Sequence, residues 1–154
     1  MIEVDSSQID QILTLLDDQQ VNNIIYKSLK AGATVLRDNT KSFFRKAVGG
    51  VAGHPNRWTG KPLEDGIRIG KGEKAYLETS VNIMGDFRLK WFEKGSWKSG
   101  ERWTKGKGKK RKKPHKTGVF VARPFFKPAV GASAEDVETA IRESIDNSLK
   151  KIWN

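Results

Sequence analysis

At 154 residues, with 29 Lys and Arg against 18 Asp and Glu and a formal net charge of +11, the chain fits one strongly basic domain whose partners are expected to be anionic. It contains no cysteine and two histidines, His54 and His115, which excludes disulfide frameworks, cysteine-ligated zinc and thiol catalysis and leaves too few imidazoles for a His-rich metal site. No stretch approaches the apolar length of a membrane span, and the acidic opening Met1–Ser7 lacks the apolar run of a signal peptide, so a cytoplasmic product is expected.

In chain order, Ser6 and Ser7 cap an expected short helix over Gln8–Asp17, with Ile9, Ile12, Leu13 and Leu16 on one face. A longer helix is expected over Gln19–Ala47. Its stripe runs Val21, Ile24, Ile25, Ser28, Gly32, Val35, Asn39 and Phe43, and the small residues Ser28, Ala31 and Gly32 admit a close neighbour. Gly49-Gly50 stops it. The period then changes to two. Strands are expected at Gly66–Gly70, Ala75–Met84 and Phe87–Trp91, with turns at Gly70-Lys71-Gly72 and Gly85-Asp86. Residues 95–117 read as one long loop, and Val119–Val121 as a fourth strand returning from it. Ala122–Val130, framed by Pro124 and Pro128, reads as a rigid extended bridge with Phe125 or Phe126 buried between the sheet and the last helix. That last helix starts at Ser133, has Asp136 at the capping-box position, and carries Val137, Ile141, Ile145, Leu149 and Ile152 as its stripe. The expected fold class is α+β: N-terminal helices, a small antiparallel sheet with a long projecting hairpin loop, and a C-terminal helix packed on the sheet. The whole of 1–154 is read as a single domain, with 97–117 a basic loop insertion.

Catalytic signatures are missing from the sequence. No glycine spacing matches a phosphate-binding P-loop, and His54 beside Asn56 and Arg57 has neither a partner histidine nor a metal-binding carboxylate pair. Glu64 and Asp65, as neighbours on a strand, would point to opposite faces. The expectation is a protein without enzymatic turnover, cofactor or metal.

Charge is segregated along the chain. Residues 1–20 contain Glu3, Asp5, Asp10, Asp17 and Asp18 and no Lys or Arg. Between residues 105 and 116 stand Lys105, Lys107, Lys109, Lys110, Arg111, Lys112, Lys113 and Lys116 without an acid, and the remainder of the chain balances at only +3. Such a polycation binds phosphate by counterion release and reads no sequence. Trp97 and Trp103 in the same polar loop suit an interface anchor, or stacking on a nucleobase or on a guanidinium such as Arg102. A protein partner, a nucleic acid and a solvated loop all remain open on composition.

Arg123-Pro124-Phe125-Phe126-Lys127-Pro128-Ala129, leading into the final helix, resembles the signature of the phage tail-completion, or head–tail joining, family. Upstream, Phe92-Glu93-Lys94-Gly95-Ser96 is similar to that family's aromatic-Glu-x-Gly-Thr segment, and Thr59-Gly60, Leu63 and Gly66-Ile67 to its earlier positions. The resemblance spans roughly 19–150; the link between its Glu-x-Gly and Arg-Pro-Phe elements is longer here and holds the polycation. It implies structural roles for Glu93, Gly95, Arg123, Pro124, Phe125, Phe126, Pro128 and Ala129. It further implies a non-enzymatic virion protein, assembled in the host cytoplasm as a ring in the phage neck. Its partners would be other copies of itself, adjoining connector or stopper proteins and tail-tube proteins, with non-specific contact to genomic DNA in the channel and none to membrane. The alternative from another class is a non-specific nucleic-acid-binding protein acting through residues 105–116.

Overall fold

The computed structural model describes residues 18–56, 59–71, 78–83, 85–95, 101–102, 115–116 and 121–153. The expected helix over 8–17, the start of the second expected strand, Val119 and Phe120 lie outside them, as do Trp97, Trp103 and the cations from Lys105 to Lys113.

Helix α1 (Asp18–Val48) dominates the molecule. Asp18 sits in its first turn and Arg45 and Lys46 in its last, each facing the helix dipole with the favourable sign. Its buried positions are Ile24, Ser28, Gly32, Ala33, Thr40, Phe44 and Val48. The expected stripe is therefore corrected over the C-terminal half, where Phe44 turns inward and Phe43 is only half-buried. A straight 3.6-residue helix drifts against a fixed 3–4 pattern, so the face rotates by one residue over this length. The hydroxyl of buried Thr40 is satisfied within the helix, donating to the Leu36 carbonyl at 2.7 Å.

Two short 3-10 helices, Gly49–Gly53 and Leu63–Gly66, follow. Glu64 and Asp65 thus stand on a 3-10 turn and not on a strand. Each has its own cation on α1: Arg45 grips Glu64 through two bonds of 2.6 and 2.8 Å, and Lys41 reaches Asp65 at 3.1 Å.

Strands β1 (Arg68–Lys71) and β2 (Thr79–Asn82) pair antiparallel, Arg68 opposite Asn82 and Lys71 opposite Thr79. Gly70 and Lys71 belong to the strand, which corrects the turn expected there, and Gly72 lies outside the described residues. The segment read as a third strand is helix α2 (Phe87–Lys94). Its alternation of Phe87, Leu89 and Trp91 mimics a strand, but Asp86 caps the segment by accepting the Arg88 amide, and the inward positions are Leu89 and Phe92, three apart.

The base of the long loop is paired: β3 (Glu101–Arg102) lies antiparallel to β4 (His115–Lys116), with Glu101 opposite Lys116 and Arg102 opposite His115. Val121 is not in a strand and is 73% exposed. The bridge expected over 122–130 is extended only at its start, because α3 (Phe126–Ala132) begins inside it. Pro128 is its third residue, where a missing N–H breaks no intrahelical bond. Ser133 then leads into α4 (Ala134–Trp153), and its hydroxyl accepts from Asn39 of α1 at 3.0 Å.

The fold is α+β, with helices predominating. Its expected final layer is corrected, since α4 packs chiefly along α1 rather than on the sheet. The small-residue path allows this: a Cβ on Gly32 would lie 2.7 Å from Ile141 Cγ1. The sheet also lies against α1, and a cavity of about 280 Å³ is lined by Thr79 and Val81 of β2 and by Val137 and Ile141 of α4, among others. Val137 and Leu149 of the expected α4 stripe are buried, whereas Ile152 is exposed. The main core gathers Phe44, Val48, Ala52, Leu63, Ile67, Leu89 and Phe125.

Candidate functional site

The two sequence elements that carry the family resemblance meet in space. Glu93 stands in the last turn of α2, and Gly95 closes that helix with φ 72°, its amide donating to the Trp91 carbonyl at 2.7 Å. A positive φ at this position is the reason for a glycine. The Glu93 carboxylate points to the start of α3. There it accepts the amides of Phe125 at 2.8 Å, Phe126 at 2.9 Å and Lys127 at 3.2 Å.

This accounts for the whole N-terminal end of α3. Phe125 is the capping residue and has no side-chain oxygen to offer. Pro128 has no amide, and the ladder opens with Ala129 donating to the Phe125 carbonyl at 3.1 Å. Every donor that a helix end normally orphans is either absent or bonded to one carboxylate, placed where the dipole favours negative charge. The Arg123 amide adds a bond to the Phe92 carbonyl at 2.7 Å, so the incoming chain is stitched to α2 before the corner.

The corner locks by packing as well. Phe125 is fully buried, its ring 4.7 Å from that of Phe44, which in turn meets Phe92 edge-on at 5.5 Å. Phe125 therefore fills a gap between α1 and α2, not one between the sheet and the last helix. Phe126 is half-buried against the same cluster, Ala129 is buried, and Arg123, Pro124 and Pro128 are exposed.

In sequence, the expected basic loop lies between the two halves of this frame. Residues 96–100 separate Gly95 from β3, and 117–120 separate β4 from Val121. Of the expected contact residues, Arg102 and Lys116 stand at the paired base, on different cross-strand pairs. The Glu93 corner thus joins residues on either side of the segment that carries the polycation, Phe92 and Glu93 before it and Arg123 and Phe125 after it.

Two features escaped the sequence reading. Asp86, only 7% exposed, accepts from Nε and Nη2 of Arg88, from the Arg88 amide and from the side-chain amide of Asn56. The Arg88 guanidinium, with the further bonds from its amide and from Asn56, holds this carboxyl down to about 2 against the cost of burial. The cluster ties the loop after α1 to the start of α2; an Asp ahead of an eight-residue apolar–basic stretch was its available signal. The second is an apolar groove of about 370 Å³ lined by Val51, His54, Leu63, Arg88, Trp91 and Phe92. Phe87 and Trp91 beside it are each 47% exposed and stack edge-on at 5.2 Å. His54 is an exposed loop residue on this groove.

Among the described residues no group of three or more His, Asp or Glu is placed to hold a metal ion, and no helix is long and apolar enough to cross a membrane. No protein-family model, curated protein or solved structure matches the chain.

Proposed function

We propose that this chain is a structural virion protein of a long-tailed double-stranded DNA phage, a ring protomer in the neck that joins the tail to the head-side connector around the DNA channel. The reading rests on the resemblance of Phe92–Ser96 and Arg123–Ala129 to the tail-completion family, and one observation supports it above others. The two resembling elements form one capping device through Glu93 and Phe125, 32 residues apart, which supports reading them together. A rigid corner rooting a long charged hairpin suits a protein that reaches from one ring to another.

On this reading the chain acts without turnover, and its partners are its own copies, the adjoining connector or stopper ring, the tail tube and, through the basic loop, the genome in the channel. Trp97 and Trp103 are the docking anchors and the cations from Lys105 to Lys116 the electrostatic guides. The density of positive charge at 105–116 favours a second reading, a free nucleic-acid-binding protein.

One comparison separates them. Trp97→Ala with Trp103→Ala, and a loop with its lysines neutralised, are assayed for head–tail joining and for binding of duplex DNA in solution. The neck reading expects the tryptophan variant, still folded, to lose joining, and free DNA binding to be weak. Strong DNA binding that falls steeply with salt and vanishes with the lysines, while joining is untouched, favours the second reading.

A further inference from the structure

The apolar groove beside α2 opens to solvent, and Arg88 is among its lining residues. Val51 is 40% exposed and Trp91 47%, a large apolar wall to leave uncovered on a small domain. Lys94, one helical turn beyond Trp91, and Lys61, two residues before Leu63, are exposed, and no ion pair engages either of them among the described residues. Residues 1–17 have the complementary chemistry: four carboxylates, no Lys or Arg, and the helically spaced Ile9, Ile12, Leu13 and Leu16.

We infer that this groove seats residues 8–17 of a second copy of the chain. A groove walled by Trp91 and Phe92 and lined by one guanidinium, with lysines on neighbouring residues, fits an amphipathic segment carrying Asp10 and Asp17. Reach decides which copy supplies it. Phe92 packs on Phe44, which lies 26 residues along α1 from Asp18, about 39 Å at the helical rise. Ile9 is nine residues from Asp18, so even a fully extended chain carries it no farther than about 32 Å. The apolar stripe of one copy falls short of its own groove.

The contact is therefore head-to-tail: the front of α1 in one copy meets the rear of α1 in the next. Such a heterologous contact propagates and closes into a ring when the rotation allows. It deepens the proposed neck function, resting on that reading only for closure.

The chain contains no cysteine, which makes the test direct. Leu16→Cys and Val51→Cys are introduced singly and together into the full chain and mildly oxidised. A ladder of covalently joined copies is expected from the double variant and a joined pair from mixing the single ones, both lost on adding Trp91→Glu in a chain whose circular dichroism is unchanged. A linked product that migrates as a single chain overturns the inference. So does the absence of any link while oligomers persist unaltered by Trp91→Glu, an outcome that leaves the neck reading standing. A chain that is monomeric in every form overturns both.

Discussion

Glu93 and Phe125 are separated by 32 residues and joined by a 2.8 Å hydrogen bond, the Phe125 amide donating to the carboxylate that also takes the next two amides. A helix that cannot cap itself is capped by the end of another. Removing the acceptor leaves two part-buried donors and one exposed donor without it, so Glu93→Ala is expected to cost about 1–3 kcal/mol in urea unfolding. Glu93→Gln keeps the acceptor oxygen and loses the charge, and should cost less. Equal stability of all three chains would show that the cap is ornamental.

The adjacent phenylalanines should behave differently. Phe125 is fully buried against Phe44, and truncation to alanine should cost about 3–5 kcal/mol. Phe126 is half-buried and should cost clearly less. Thermal melts of the two single variants check the order. The reverse order, or two melts like the parent's, would contradict the packing described.

Asp86 governs acid stability. Its carboxyl is held near 2 in the folded chain and returns to the ordinary carboxylate range near 4 when unfolded. A depressed folded value stabilises fully above the unfolded value, so this contribution, on the order of 2 kcal/mol, is present at neutral pH and lost as pH falls from about 4 to about 2. Glu64, lowered by its bonds from Arg45, acts in the same direction. Asp86→Asn should be less stable at pH 7 and lose much of its acid dependence in that window. A parallel pH profile for variant and parent would contradict this.

How much of this was legible beforehand depended on the range of each interaction. The long helix could be read because its 3–4 spacing is local, and its small-residue path because Ser28, Ala31 and Gly32 recur on one side. Phe87–Trp91 misled because a strand and a short helix both tolerate apolar residues two apart, and only the Asp86 cap and Phe92 decide between them. Pro128 suggested a break where a first helical turn accepts it. The Glu93 cap had no local signature: the acceptor lies on another helix, beyond the hairpin, and nothing near Phe125 announces it. The groove was hidden for the same reason, since Val51, Leu63 and Trp91 come from three separate elements.

The contact between α1 and α4 has no spare room at Gly32. An added Cβ would press on Ile141 Cγ1 at 2.7 Å and Val137 Cγ1 at 3.2 Å. Alanine gains about 1 kcal/mol of helix propensity there, against overpacking of about 1–3 kcal/mol. Gly32→Ala should therefore be neutral to destabilising, and Gly32→Val clearly destabilising. Ile141→Ala, by making space, should reduce the penalty in a double-mutant cycle. Additive effects would mean that the helices do not meet at this point.

The proposed role in joining is tested most directly by electron microscopy of particles made from a genome that lacks this gene. The account predicts DNA-filled heads and complete tails that remain apart, with infectious particles recovered when the purified chain is added to the lysate. Intact tailed virions from the deleted genome would contradict it.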